Sequence, residues 1–405
     1  MSETTAPAVI AESESGRRFT VVDALRGIAA LAVLFHHLLF NSELQITLWD
    51  VFPRCFSEFC HNGAFGVEIF FVLSGFVITH SLRNVPLTAR GVGNFMLRRQ
   101  LRLDPPYWTL LILTVAAMYL ESRVPWMERK PLPTWLDFGT NMFYLQNIFV
   151  MLHWPGSFSI MGVAWTLCLE VQFYIVFILL LLAGKYLGRS AGRELAYSAA
   201  LVTLLGIVSP FAQRSAPNYN FFVEWWFYFA AGVLCYWAVN RAGFRPVFIA
   251  FLILVTLLAL FHDPTPILIG AATALLLYTA GRMGALTRWL DYAPLQYLGK
   301  ISYSLYLSHL LVAIYVLRLG YRLTGNNHAG AVFWFLFAGL VSIGAAHVMY
   351  LLVERPSVRF AARFKPSGGG GRASSIGGEP AGGNWVASGP GRSGTDDLRV
   401  IPIDR

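Results

Sequence analysis

Long apolar segments alternate with short polar ones along most of this chain. Segments such as Leu111–Leu120 and Phe248–Phe261 contain no charged residue at all. A helix needs about 20 mostly apolar residues to cross the ~30 Å hydrocarbon layer of a membrane. The pattern therefore predicts an all-α integral membrane protein with about ten transmembrane helices.

The apolar segments place these helices at about 19–40, 63–82, 105–121, 165–183, 195–211, 223–240, 247–261, 266–281, 302–319 and 330–353. The segment 136–152 is also apolar, but Gly139, Asn141, Gln146 and Asn147 interrupt it. We expect it to be a re-entrant or interfacial piece, because irregular backbone at membrane depth is tolerated only against protein or water.

Positive charge is unevenly divided between alternate loops. The loops after the second, fourth, sixth and eighth predicted helices hold 13 Lys and Arg residues, and the intervening loops hold 6. Cytoplasmic loops carry the excess of Lys and Arg, so both termini are predicted to be cytoplasmic. We expect a cytoplasmic tail at 1–18, a transmembrane domain at 19–356 and a disordered, Gly- and Ser-rich cytoplasmic tail at 357–405.

Composition supports the membrane prediction. Of the 405 residues, 56% are hydrophobic and only 13% are charged, whereas a soluble domain carries roughly 25% charged residues. The net charge of +9 is explained by the Lys and Arg residues of the predicted cytoplasmic loops, so no nucleic-acid partner is predicted. The first apolar segment, from Phe19, is too long for a signal peptide and is interpreted as the first spanning helix.

The cysteines and histidines do not form a metal-binding pattern. No set of His, Cys, Asp and Glu has ligand spacing, so no metal is predicted. Cys55 and Cys60 share a loop predicted to lie outside the cell, where a disulfide is chemically allowed. The sequence leaves open whether these two residues are paired.

Ionisable residues inside membrane helices are costly and are therefore candidate site residues. In the first helix, Arg26 and His37 are 11 positions apart, which places them about 20° apart on one face and about 16 Å apart along the axis. A neutral imidazole is a good general base, and a guanidinium is suited to binding phosphate or carboxylate. The alternative is structural, with Arg26 paired to Asp23 and His37 lining a polar seam.

A carboxylate in the fourth predicted helix lies at the same depth as His37. Glu170, in AWTLCLEVQFY, is predicted to face the imidazole and stabilise its charged form, as the acid of a catalytic triad does. Glu68, equally shallow in the second helix, could take this role instead. The structural alternative is a buried ion pair between Glu170 and an arginine.

An arginine cluster, in RRQLRLDPPYW, opens the third predicted helix at the inner surface. Arg98, Arg99 and Arg102 could clamp an anionic cytosolic ligand such as the phosphates of coenzyme A, or could simply reflect positive charge on the cytoplasmic side. A polar stripe in the ninth helix, which includes Tyr306 and His309, is interpreted as helix-packing contacts.

Taken together, these segments resemble acyltransferase family 3, a family of membrane proteins that includes O-acetyltransferases of bacterial surface polysaccharides. The resemblance runs from about Thr20 to Pro356 and rests on DALRGIAALAVLFHH, GAFGVEIFFVLSGFVIT, RRQLRLDPPYW, AWTLCLEVQFY, LGKISYSLYLSHLL and VERP. The family's motif positions fall on Arg26, His37, Arg99, Arg102, Trp165 and Glu170.

The resemblance implies a multi-pass enzyme of the inner (plasma) membrane, surrounded by lipid, that uses cytosolic acyl-CoA as donor and holds no permanent cofactor. It implies hydroxyl acceptors on sugars or other glycans, or on macrolides. We therefore expect His37 and Glu170 to be catalytic, and Arg26, Arg98, Arg99, Arg102 and Trp165 to bind substrate. Direct transfer and an acyl-enzyme intermediate both remain open. The rival hypothesis is a transporter or flippase with a buried polar pathway, and a weaker one is a non-catalytic membrane partner.

Overall fold

The computed structural model describes residues 18–40, 44–124, 131–152, 158–215, 221–260 and 264–364. Its helices are α1 (Thr20–Phe40), α2 (Gln45–Val51), α3 (Arg54–Asn62), α4 (Gly66–Leu82), α5 (Ala89–Ser122), α6 (Trp135–Met142), α7 (Gln146–Met151), α8 (Trp165–Gly188), α9 (Glu194–Ser215), α10 (Phe222–Asn240), α11 (Arg245–Ala259), α12 (Thr265–Arg282), α13 (Ala293–Thr324), α14 (His328–Met349) and α15 (Arg355–Ala362). Within these ranges the regular structure is entirely helical. The predicted tail 1–18, apart from Arg18, lies outside the described residues.

The predicted fold class is confirmed. Eight helical segments in the described part of the chain are long and apolar enough to cross a membrane. Two further apolar helices, α11 and α12, occupy the positions of the seventh and eighth predicted spans, with 15 and 18 residues, but are not among those eight. A count of ten crossings and the cytoplasmic location of both termini stay predictions.

Helix α5 differs most from the prediction, because it begins at Ala89 and not near Pro105. Thr88 caps its first turn by accepting a hydrogen bond from the Gly91 N–H. Pro105 and Pro106 lie inside the helix without ending it, although proline removes a backbone donor and usually breaks a helix. The arginine cluster therefore does not open the helix at the surface; it lies within it, with side chains directed by helical geometry.

Close contacts between backbones hold the helices that carry the site. Helix α1 packs along α13, α13 packs along α14, and α4 packs against both α1 and α10. A Cβ added at Gly299 of α13 would lie 2.0 Å from the carbonyl oxygen of Asp23 in α1, and one added at Gly232 of α10 would lie 2.0 Å from that of Val72 in α4. Glycine at these positions allows the close approach that membrane helices use for van der Waals packing.

The predicted interruption of 136–152 is confirmed as two short helices, α6 and α7. They meet at Tyr144, whose φ of 61° turns the chain. The Asn141 side chain donates to the carbonyl of Phe158 (3.1 Å) and accepts from the N–H of Ile160 (3.0 Å). The polar residue that interrupts the apolar run thus satisfies backbone groups of the neighbouring loop.

Two further features can be compared with the sequence: the pair Cys55 and Cys60, and the C-terminal end of the helical region. Cys55 is exposed and Cys60 is buried, and both are free thiols, so the disulfide left open by the sequence is not formed.

A π-helical turn at Tyr350–Glu354 leads into α15. Helix α15 ends at Ala362, six residues past the predicted end of the transmembrane domain. The predicted tail beyond residue 364 lies outside the described part.

Candidate active site

A polar chamber lies between helices α1, α4, α5, α8 and α13. Its volume is about 70 Å³. A buried water needs about 10–15 Å³ of such space, so the chamber holds roughly five water-sized groups. Its lining includes the polar side chains of Arg26, Ser74, Arg99, Arg102, Glu170 and Tyr303.

The chamber combines three guanidinium groups with one carboxylate. The Arg99 guanidinium lies over the Tyr174 ring, 4.6 Å from its centroid. The Tyr174 hydroxyl donates to Oε1 of Glu170, which also accepts from the Ser74 hydroxyl at 3.3 Å. Glu170 therefore holds a fixed position in the wall and leaves the chamber with an excess of positive charge.

A larger cavity of about 490 Å³ adjoins the chamber, and we call it the vestibule. The two cavities share four lining residues, Arg26, Val77, Arg102 and Ser302. The vestibule lies at the N-terminal end of α1, which the charge distribution predicts to be cytoplasmic; we call this end inner and the opposite end outer. It is lined by six cationic side chains, from Arg18, Arg26, Arg102, Lys300, Arg355 and Arg359.

Two carboxylates, Asp23 and Glu354, line the vestibule, and both are already engaged. Asp23 pairs with Arg18 at 2.8 Å, and Glu354 accepts from the Ser304 hydroxyl at 2.6 Å. The predicted alternative in which Asp23 neutralises Arg26 is therefore not observed. The vestibule presents an excess of positive charge suited to a ligand with several negative charges.

His37 lies beyond the outer end of the chamber and contacts a second imidazole. Its Nδ1 is 2.9 Å from the carbonyl oxygen of Val33 and 3.2 Å from Nε2 of His309. His309 is fully buried, and its own Nδ1 is 3.1 Å from the carbonyl oxygen of Leu305.

These contacts assign the tautomers of the two rings. A carbonyl oxygen only accepts hydrogen bonds, so Nδ1 of His309 carries a proton and its Nε2 carries a lone pair. That lone pair accepts from Nδ1–H of His37, which leaves Nε2 of His37 unprotonated. In this tautomer Nε2 of His37 is a hydrogen-bond acceptor.

His36 has a different environment, although it is the next residue. Its Nδ1 lies 3.2 Å from the carbonyl oxygen of Cys60 and 3.1 Å from that of His61. His36 therefore ties α1 to the end of α3. The two adjacent histidines therefore have different partners.

A layer of three side chains separates the chamber from the two imidazoles. The rings of Phe70 and Tyr306 pack edge to face with centroids 5.5 Å apart, and the Tyr306 hydroxyl accepts from Thr166 at 2.9 Å. The Tyr306 ring lies 5.9 Å from the ring of His309. His37 is thus one layer outside the chamber, which ends at Phe70, Thr166 and Tyr306.

The structure brings together four of the predicted site residues and separates others. Arg26, Arg99, Arg102 and Glu170 all line the chamber. The expected contact between Glu170 and His37 is wrong, because α13, and not α8, lies along α1. Equal depth in the membrane did not determine which helices are neighbours.

Arg98 and Trp165 do not line the chamber. The Arg98 guanidinium bonds to the carbonyl of Asn94 at 3.3 Å in its own helix. Trp165 packs against Trp225, with centroids 5.0 Å apart, and stands behind Phe71 in the wall. Their predicted roles as direct substrate contacts have no support in this geometry.

Glu68, the other carboxylate considered for the role of Glu170, is buried and does not contact His37. Its Oε2 has no hydrogen-bond partner among the described residues.

Sequence reasoning assigned His309 to helix packing and did not include Lys300, Arg355 or Arg359. The polar stripe of α13 was a usable signal, since Tyr306 and His309 are three positions apart and share a face. These three cations come from segments more than 250 residues away from α1 in the chain. Their convergence depends on helix packing.

Comparison with known proteins is consistent with this geometry. A family model described as an acyltransferase domain matches residues 19–351. The chain is 26% identical over 373 residues to the protein named "Putative peptidoglycan O-acetyltransferase YrhL" of Bacillus subtilis, covering 83% of this chain and 54% of that protein. It is 28% identical over 369 residues to "Putative membrane-bound transacylase BcsY" of Komagataeibacter xylinus, covering 84% and 83%.

O-acetyltransferase OatA of Staphylococcus aureus is 24% identical over 374 residues, covering 84% of this chain and 57% of that protein. The chain thus spans about half the length of several relatives that it matches, YrhL and OatA among them. No solved structure matches. Because the family match extends over most of the chain and coincides with the helices that build the chamber, this chain belongs to acyltransferase family 3.

Proposed function

We propose that this protein transfers an acyl group, acetyl in particular, from cytosolic acyl-CoA to a hydroxyl of a cell-envelope glycan. One observation carries the proposal: a cation-lined vestibule joins a chamber whose far end approaches a preorganised histidine pair. The names of the relatives YrhL and OatA support peptidoglycan as the acceptor, and bacterial relatives of this kind favour the plasma membrane.

The donor would enter from the inner face. Coenzyme A carries several phosphates, and guanidinium groups bind phosphate through paired, charge-assisted hydrogen bonds. The vestibule cations would hold this part of the donor. The pantetheine arm would then extend past Arg26 and Arg102 into the chamber, with the thioester at the outer end.

The acceptor would approach from the side of His37, and the layer of Phe70, Thr166 and Tyr306 would have to shift for the acceptor hydroxyl to reach the thioester. Nε2 of His37 takes the proton of the acceptor hydroxyl as its oxygen attacks the thioester carbonyl carbon. The carbon–sulfur bond breaks, and the thiolate leaves and takes a proton from the His37 imidazolium. The products are an ester and free coenzyme A. During the step, Nδ1–H of His37 donates to Nε2 of His309, which stabilises the imidazolium.

The proposal is tested with purified protein in liposomes, [¹⁴C-acetyl]CoA and solubilised peptidoglycan fragments. The expected result is alkali-labile label on the glycan, together with an equal amount of free CoA thiol. Omitting the glycan should lower thiol release to the rate of hydrolysis by water. Failure to bind or consume acetyl-CoA, with movement of a solute across the liposome membrane, would instead support the transporter hypothesis.

Exchanging His309 tests the histidine pair separately. His309→Gln keeps an acceptor oxygen near the position of Nε2, whereas His309→Leu removes the acceptor and leaves the His37 Nδ1–H with Val33 alone. We expect His309→Leu to lower kcat by about 10²-fold, with little change in the KM for acetyl-CoA, and His309→Gln to restore most of that loss. Equal losses in both variants would show that His309 only fills space.

A further inference from the structure

The outer end of the chamber is closed by a small set of side chains with defined contacts. We propose that Phe70, Val67 and Tyr306 form a size filter that restricts the donor to short acyl groups, acetyl above all. This inference rests on the proposed function, because it concerns the acyl group of the same donor.

The direction of donor entry places the acyl group at this closure. The vestibule cations lie at the inner end and the histidine pair lies beyond the outer end. A thioester that reaches toward His37 therefore directs its acyl carbons at the outer lining. Val67 and Phe70 of α4 line that end, because α4 begins at Gly66 on the outer side.

The available space matches a short chain. The chamber volume of about 70 Å³ corresponds to roughly five water-sized groups. The sulfur, the carbonyl group and one methyl group of an acetyl thioester already supply four heavy atoms, before any atom of the pantetheine arm is counted. Each added methylene must then displace a wall residue or leave the thioester short of the reactive position.

Hydrogen bonds and packing oppose displacement of the wall. The Tyr306 hydroxyl accepts from Thr166 at 2.9 Å and donates to the carbonyl of Val163 at 3.3 Å. Phe70 packs edge to face on the Tyr306 ring. Moving either ring would break a buried hydrogen bond or an aromatic contact, so displacement of this wall by a longer acyl chain costs free energy.

Variants of α4 offer a matched test at the two ends of one cavity. Phe70→Ala removes a ring from the outer end, and Val67→Ala removes two methyl groups there. Val77→Ala makes the same chemical change at the inner end, where Val77 lines both the chamber and the vestibule. The three variants separate enlargement at the acyl position from enlargement elsewhere.

The measurement is equilibrium competition of acetyl-, propionyl- and butyryl-CoA against [¹⁴C-acetyl]CoA on purified protein, which needs no acceptor. One methylene in an apolar pocket changes selectivity by about 10–200-fold. We expect the wild type to prefer acetyl- over butyryl-CoA by at least about tenfold. Phe70→Ala should reduce that preference by about tenfold or more, and Val67→Ala should reduce it by a smaller amount. Val77→Ala should leave the ratio unchanged, whatever its effect on overall affinity.

An unchanged ratio in both Phe70→Ala and Val67→Ala would overturn the size filter, as would an equal shift in Val77→Ala. If Phe70→Ala does not fold, comparison of Val67→Ala with Val77→Ala still tests the size filter. Wild-type protein that binds no acyl-CoA at all would remove the proposed donor and the inference with it. Binding of acyl-CoA without the expected ratios would remove the size filter alone.

Discussion

Replacing His37 by alanine is expected to lower the rate of acyl transfer by about 10²–10⁴-fold, the usual contribution of a positioned general base. The reason is geometric: the Val33 carbonyl and Nε2 of His309, whose own Nδ1 is bonded to the Leu305 carbonyl, hold the proton of His37 on Nδ1 and leave its Nε2 as an acceptor. Removal of the ring takes away the base but none of the residues that line the chamber. Donor binding should therefore be almost unchanged.

His36→Ala provides the matched control for that variant. It removes an identical ring at the adjacent position, but one that bonds to the carbonyls of Cys60 and His61 at the end of α3. We expect His36→Ala to retain most of the transfer activity, with a small loss of thermal stability. Labelled acetyl-CoA consumption in liposomes measures both variants, and similar rates for the two would assign His37 a structural role.

Replacing Arg102 by glutamine is expected to have the second largest effect. Arg102 lines both the chamber and the vestibule, so the donor must pass its guanidinium. A hydrogen bond to a charged group is worth about 1.5–3 kcal/mol, which corresponds to a decrease in kcat/KM for acetyl-CoA of about 10–150-fold. Most of that loss should be an increase in KM, because the interaction binds the donor before and during the reaction.

Arg98→Gln is the matched control for Arg102→Gln. Both residues belong to the cluster in α5, but Arg98 bonds to its own helix and lines neither cavity. We expect Arg98→Gln to change kcat/KM by less than about threefold, with an effect that decreases at higher salt because salt screens charges that do not contact the donor. Equal losses in the two variants would mean that the cluster acts as a general positive field and that Arg102 makes no specific contact.

The contrast within this cluster shows where sequence reasoning reached its limit. The three arginines were visible as a group, but the expected helix began at the prolines that follow them. In the structure α5 begins at Ala89 and passes through Pro105 and Pro106, because packing stabilises a helix that local preference would end. Because α5 is continuous, its helical geometry directs the side chains of Arg99 and Arg102 into the chamber and the side chain of Arg98 in another direction.

The sequence by itself determined the membrane class, most helix positions, and the placement of Arg26 and His37 on one face of α1. These properties depend on hydropathy and on the 3.6-residue period, which act within a single segment. Only the tertiary structure decided that His309 is the partner of His37, that Glu170 bonds to Ser74, and that α15 adds cations to the vestibule. Those contacts join helices remote in sequence, and they depend on which helices are neighbours and how each is rotated. The neighbours and the rotation of each helix are determined by packing of small residues at close approaches, such as Gly299 against Asp23. The hydropathy pattern does not show this packing.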